Sequence, residues 1–282
     1  MGKQELWEQL TTVEIVAVGN ELLLGDVLDT NTNWLCRKIT GMGGQVRRTV
    51  MVRDELRAIS REIEAALGHG TDLIITTGGL GPTADDLTLS AVAEATGQPL
   101  ELNPLARDLV ASRYWELARL GHVADGALTE ARQKMAILPR GAQPLANLVG
   151  TAPAVLLEIG RSRIVCLPGV PAELKGIFEG SLQPLLEEIF GQSFFSEKLL
   201  MIDCGDESVL ASILEEVAGE HPEVYIKSRA KGFGAEVKFR VTLSASGRSW
   251  AQVEGLISQA LHDLEVALRR AHIVVESVEE VL

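Results

Sequence analysis

Two short runs, Val13–Val18 (VEIVAV) and Leu73–Thr76 (LIIT), carry apolar side chains at nearly every position. A strand that is apolar on both faces must be covered on both, which is the situation inside a parallel sheet flanked by helices. Helical patterns separate these runs, around residues 32–40 and over 55–67, with an extended stretch at 45–50 between them and a further helix over 87–95. The alternation predicts an α/β fold with a mostly parallel sheet between two helical layers. Such a sheet holds its ligand outside the carboxyl ends of its strands, so the segments that follow the strands carry the functional candidates.

The same rules extend down the chain. A helix opened by Pro104 is expected over 103–120, a hairpin over 151–169 around a Gly-Arg-Ser turn, and one long helix over 170–189. GQSFFSE at 191–197 reads as a boundary. Beyond it come a strand (199–202), a helix (208–218), two strands (224–227 and 236–243) and a helix (250–268), the outline of a small α+β module. The expected division is therefore 1–195 and 196–282.

The formal charge is −13, from 26 basic and 39 acidic side chains. Residues 1–195 hold 17 basic and 24 acidic groups and residues 196–282 hold 9 and 15, so neither part is a basic arm. This balance argues against broad binding to nucleic acid or to an anionic membrane. The local basic run Lys227, Arg229, Lys231, Lys238 and Arg240 is expected to be a solvated face, with no RNA partner. A phosphate would have to be held locally, by backbone amides, a few cations or a metal. No apolar run approaches the roughly 20 residues that cross a bilayer. The N-terminus is an acidic amphipathic lead-in without the layout of a signal peptide, and Cys36, Cys166 and Cys204 are scattered, as in a reduced, cytoplasmic protein.

The loop TTGGLGPTADDLT, residues 76–88, follows one buried strand. Glycine lets a ligand approach the backbone without meeting a Cβ, so Thr77, Gly78, Gly79 and Gly81 suit an anion cradle facing the amides of the next helix. A tight turn with Thr83 or Asp85 as helix cap, and Thr83-x-x-Asp86 as a capping box, accounts for the same residues. The adjacent carboxylates Asp85 and Asp86 favour a cation if a phosphate lies beside them. At the other strand end, Glu21 is a metal ligand or a partner for a ribose hydroxyl. Asp29 and Asn31 either contact substrate or cap the helix near Thr32. Gly150 and Thr151 in NLVGTAP, Gly169 after Pro168, and Lys175, a candidate phosphate cation, complete the set. The five histidines pair with no Cys or Glu at ligand spacing, and no P-loop or G-x-G-x-x-G is present, so acyl transfer and nicotinamide chemistry lack support.

Four ordered segments, AVGNELLLGDVLDTN, TTGGLGPTADDLT, NLVGTAP and LPGVPAELK, resemble the N-terminal region of the CinA (competence/damage-inducible) family. The resemblance covers about residues 12–190 and implies the three-layer α/β domain of MogA and MoaB, followed by a KH-like α+β module in which DCGDESVLASILEEV aligns with a gly-x-gly-glu-ser stretch. It implies metal-dependent hydrolysis of ADP-ribose to AMP and ribose 5-phosphate. Asp86 and Glu21 would be catalytic, and Mg²⁺ (with K⁺ as a further candidate) would sit on Asp86, Glu21 and Asp29. In the MogA branch the same loop binds molybdopterin. A binding protein with little catalysis, or a homodimeric regulatory or assembly module, are the alternatives. The chain stops about where the family's nicotinamide-nucleotide deamidase domain would begin, so that activity is expected to be absent. Three positions depart from the family pattern: Asn20 stands for Thr, Ala154 for Gly, and Met135 for a common Gln.

Overall fold

The computed structural model describes residues 11–191, 194–204, 207–231 and 238–281. The N-terminal lead-in, Gln192 and Ser193 of the boundary segment, Gly205 and Asp206 of the aligned DCGDES stretch, and Glu236 and Val237 of an expected strand lie outside them, as does the side chain of Lys231. The described residues pack as two units, one of 11–38 and 45–189, the other of 39–44 and 190–281.

In the first unit the order is β1 (Thr12–Val18), α1 (Asn20–Leu24), α2 (Thr30–Gly41), β2 (Gln45–Val52), α3 (Leu56–Gly68), β3 (Leu73–Thr77), α4 (Thr88–Thr96), β4 (Leu100–Leu102), α5 (Pro104–Arg119), α6 (Glu130–Lys134), β5 (Ile137–Pro139), β6 (Gln143–Leu145), β7 (Ala154–Ile159), β8 (Ser162–Leu167), α7 (Pro171–Glu179) and α8 (Gln183–Phe190). Six strands form one sheet in the order β2-β1-β3-β8-β7-β6. β2, β1, β3 and β8 run parallel, while β7 is antiparallel to β8, which is the expected hairpin.

Every residue of β1 and β3 is buried, as two-sided apolarity required. Val16, Val18, Ile74, Ile164 and Cys166 share a core with Ile59 and Ile63 of α3, Ala91 and Val92 of α4, and Ala106 and Val110 of α5. The alternate residues Ile15, Ile75, Val165 and Leu167 are also buried, on the opposite face. β2, at the sheet edge, alternates between half-buried and exposed and carries Arg47 and Arg48, charges that discourage pairing with another edge.

The single helix expected over 170–189 is two helices. α7 ends at Glu179, Gly180 is non-helical (φ −117°, ψ −95°), and α8 restarts with Pro184 in its first turn. Proline has no amide for a helix interior but fits a first turn, so the Gly-Ser-Leu-Gln-Pro segment breaks the helix.

The second unit contains β9 (Phe194–Asp203), α9 (Glu207–Glu220), β10 (Tyr225–Lys231), β11 (Lys238–Gly247), α10 (Trp250–Arg270) and β12 (Val274–Val281). The strands form an antiparallel sheet ordered β10-β11-β9-β12. Leu200, Ile202, Val241 and Leu243 of the sheet share a core with Leu210 and Leu214 of α9 and with Val253, Ile257 and Leu264 of α10. β12 has no counterpart in the expected outline. Its VVESVEEV run mixes valine with glutamate, and residues 274–278 of this edge strand are half-buried or exposed. Lys227, Arg229 and Arg240 lie exposed on the sheet, and Lys238 pairs with Glu276 at 2.6 Å.

Ile74→Ala, at a fully buried point of β3, is expected to cost about 2–5 kcal/mol. Leu28→Ala, on an exposed loop, should stay within about 0.5 kcal/mol. Chemical denaturation of the two variants beside the parent checks both.

Candidate functional site

β1, β3 and β8 end level with one another, because Thr77 pairs with Ala17 on one side and with Leu167 on the other. The residues that follow extend the ladder by one step. The Gly19 amide donates to the Val52 carbonyl at 3.1 Å and the Gly78 amide to the Leu167 carbonyl at 2.9 Å. Gly78 holds φ at 93°, and a Cβ there would collide with the Val18 carbonyl. Only glycine fits such a position. Gly169 lies against it, with an added Cβ 3.3 Å from the Gly78 Cα. Asn31 locks this junction by donating from Nδ2 to the Gly169 carbonyl at 2.7 Å.

The Gly78 amide is thus occupied, contrary to the expectation that all three loop glycines offer theirs to a ligand. Its carbonyl accepts from the Thr88 hydroxyl at 2.8 Å, and the Gly79 carbonyl accepts from the Thr88 amide at 3.2 Å. The Gly79 and Gly81 amides donate to no acceptor among the described residues. They form the cradle that the loop offers.

The helix after the loop begins at Thr88, with Leu87 in the cap position and no side-chain cap, so neither the Thr83 cap nor the Asp85 cap exists. Residues 83–86 instead close their own turn. Thr83 donates its amide to Asp86 Oδ2 at 2.8 Å and its hydroxyl to the same oxygen at 2.6 Å. The hydroxyl also bonds Asp85, and this contact, with the nearby Lys134 as a minor contributor, lowers the Asp85 carboxyl pKa below the ordinary range. Lys134 Nζ donates to the carbonyls of Thr83 and of Asp86, the latter at 2.8 Å.

Around this edge lie Glu21, in the first turn of α1, and Asp54, just past β2. Asp54 accepts from the Asn20 amide at 2.7 Å. Partial burial raises its carboxyl pKa above the usual range, and the charges of Glu21 and Asp85 push it further. Asp54 therefore belongs to the same acidic mouth, and the strand-end rule applied to Val52-Arg53-Asp54 was the available signal. Asp29 caps α2 through Oδ1, which accepts from the Thr32 amide at 2.9 Å. Its Oδ2 is buried without a partner, as are Asn31 Oδ1 and Thr32 Oγ1.

Other candidates serve the scaffold. Asn147 accepts from the Val149 and Gly150 amides at 3.1 and 2.8 Å and donates to Ala152 and Glu173. The Gly150 carbonyl accepts from Arg113 Nε at 2.9 Å, so both polar groups of Gly150 are used within the protein. Thr151 continues that turn. Lys175 lies over the Trp34 ring at 5.7 Å rather than against the glycine loop. Among the described residues, the only group of three His, Cys or carboxylate ligand atoms mutually within 4.8 Å is Glu220, His221 and Asp263 of the second unit. Glu21, Asp29 and Asp86 do not form such a group.

A raised carboxyl pKa means that the folded state favours protonated Asp54. The stability this group contributes is present at acid pH and is lost as pH rises through its folded-state value. Asp54→Asn is therefore expected to raise the melting temperature at pH 7, and the gain should shrink as pH falls into the carboxylate range. Thermal denaturation across pH 4 to pH 8 measures it.

Comparison with known proteins gives the site a lineage. Residues 14–188 match the family model described as a probable molybdopterin binding domain. A protein of Pyrobaculum calidifontis is 40% identical over 256 residues, 90% of this chain and 95% of its own length. One of Aeropyrum pernix is 43% identical over 245 residues, 86% of this chain and 88% of its own. The crystal structure of CinA from Thermoplasma acidophilum, described there as of unknown function, is 33% identical with a TM-score of 0.57, covering 63% of this chain and 98% of that one. The fold is the α/β domain of this family with a mostly parallel sheet, and the antiparallel second unit is consistent with a small α+β module. The chain belongs to the family of probable molybdopterin-binding domains and is CinA-like in its fold.

Proposed function

We propose that the first unit is a metal-dependent nucleotide-sugar pyrophosphatase that cleaves ADP-ribose-type diphosphates, ADP-ribose itself giving AMP and ribose 5-phosphate. The observation that carries this is the pair of unbonded amides on Gly79 and Gly81 beside the Asp86 carboxylate, at the carboxyl edge of a parallel sheet. Two free backbone amides suit a phosphate oxygen and add no net charge to an acidic chain. A carboxylate beside that phosphate suits the handling of an attacking water.

A hard divalent cation fits the donors present, which are all oxygens. Asp29 Oδ2 is buried without a partner, and Asp54 is crowded by the charges of Glu21 and Asp85. A cation beside Asp54 would relieve that crowding. Asp86, Glu21 and Asp29, which stand apart in the empty protein, would have to be drawn together to hold it, with Mg²⁺ as first choice and the monovalent K⁺ as a further candidate. Bound there, it would neutralise diphosphate charge and lower the pKa of a water. The protein's own part is to fix the phosphate on the Gly79 and Gly81 amides and to orient Asp86, whose Oδ2 is held by two bonds from Thr83.

A second proposal is a molybdopterin- or nucleotide-binding protein with little catalysis, favoured by the family description itself. Homodimerisation through a KH-type second unit, without nucleic acid, stays a proposal beside either. No helix of the described residues is long and apolar enough to cross a membrane.

Purified protein is expected to release AMP from ADP-ribose with Mg²⁺ and to stop when the metal is chelated. Asp86→Asn should lower kcat by at least about 100-fold, in the range of a lost acid–base group. Saturable binding of ADP-ribose without AMP release would select the binding protein instead.

A further inference from the structure

The second unit brings together three ligand atoms that the glycine-loop site does not use. Glu220 closes α9 and His221 is the first residue beyond it, while Asp263 lies in α10, 42 positions after the histidine. One ligand atom from each of the three lies within 4.8 Å of the other two. His221 Nε2 and Asp263 Oδ2 are 2.8 Å apart. Nitrogen and oxygen ligands held at about 2.0–2.2 Å by one tetrahedral or octahedral metal lie roughly 2.8 to 3.4 Å from each other, so this pair stands at ligand separation. The same distance suits a plain hydrogen bond, and the surroundings distinguish the two.

The backbone of His221 is fixed on both sides. Its amide donates to the Val217 carbonyl and its carbonyl accepts from the Val224 amide, each at 3.0 Å. The imidazole is 14% exposed and the Asp263 side chain 46%, so an ion can reach a ring that is otherwise packed in place. Leu214 and Val217 of α9 share a core with Ala260 and Leu264 of α10, which holds the two ligand-bearing helices together beneath the site. Charge here is one-sided. Among the described residues neither Glu220 nor Asp263 pairs with a lysine or arginine. α9 has no basic residue in its last turn, where the helix dipole leaves about half a negative charge. α10, by contrast, ends on Arg269 and Arg270. Two carboxylates and a helix C-terminus thus favour a positive ion beside the imidazole.

We propose that Glu220, His221 and Asp263 bind a divalent transition metal of the Zn²⁺ class, and that the ion clamps the end of α9 to α10. An imidazole ligand selects such ions over Mg²⁺ and Ca²⁺, which take oxygen shells. Glu220 is exposed, and a movement of about 1 Å in its side chain completes a three-ligand set whose remaining positions water fills. The site is separate from the metal proposed for the first unit and does not depend on the pyrophosphatase reading.

Isothermal titration of ZnCl₂ into the full chain tests it, with excess Mg²⁺ present to occupy all-oxygen sites. One site per chain is expected. Its affinity should fall at least about tenfold in Glu220→Gln, Asp263→Asn and His221→Gln, because losing a ligand costs no less than losing a group that orients one. Asp86→Asn, in the first unit, should leave it within about twofold, as distant sites add independently. Glu220→Gln alters an exposed side chain, so folding is not at stake in that variant. With one equivalent of Cu²⁺ in place of Zn²⁺, the parent should show imidazole nitrogen coupling by electron paramagnetic resonance that His221→Gln lacks. No Zn²⁺ binding, affinity unchanged in the three variants, or a Cu²⁺ signal that persists in His221→Gln would leave His221 and Asp263 as an ion pair only and overturn the site. Weakening in His221→Gln alone overturns the three-ligand set.

Discussion

The close approach of Gly78 to the Val18 carbonyl and to Gly169 is the contact on which the site depends. Three parallel strands end at one level, and their continuations must share a space that admits no side chain. The β3 loop can then turn through positive φ, its first amide completes the ladder to Leu167, and the next free amides emerge beyond the sheet edge. Thr88, from the helix that follows, holds both loop carbonyls and so fixes which way those amides point. Asn31 reaches the same junction from α2, so elements far apart in sequence set one geometry.

An acidic chain that handles a phosphate has to separate attraction from net charge. On the proposed reading the attraction comes from backbone dipoles, since the lysines that sequence and loop position offer are used within the protein. Lys134 is spent on main-chain carbonyls and Lys175 on an indole face. The carboxylates Glu21, Asp54 and Asp85 then raise the cost of binding a bare anion and favour one that arrives with a counter-cation. The metal dependence proposed for this chain follows from the charge arrangement before any chemistry is considered.

The strands buried on both faces were legible because short runs as apolar as VEIVAV and LIIT, set between helical patterns, fit strands covered on both sides. The hairpin at Gly160 and the α5 start at Pro104 were legible for the same local reasons. Elements whose signals are half-polar were not. The glutamates of β12 hide an edge strand, and Pro184 marks a helix restart that amphipathic spacing alone runs through. In the site, the glycine loop, Asp86 and Asn31 could be placed at the sheet edge by position. Which amides remain free could not, since that depends on Leu167 and Thr88 reaching Gly78 and Gly79. Gly150 looked like loop glycine until Asn147 and Arg113 used both of its polar groups, a pattern that spacing does not encode.

Lys134 and Met135 are consecutive residues with different tasks. The first grips the main chain on either side of Asp85, and the second walls a cavity beside the glycine loop. The cavity wall and the anchor of the Asp86 turn are thereby built on one short stretch of backbone at the end of α6, so the two share a single local geometry.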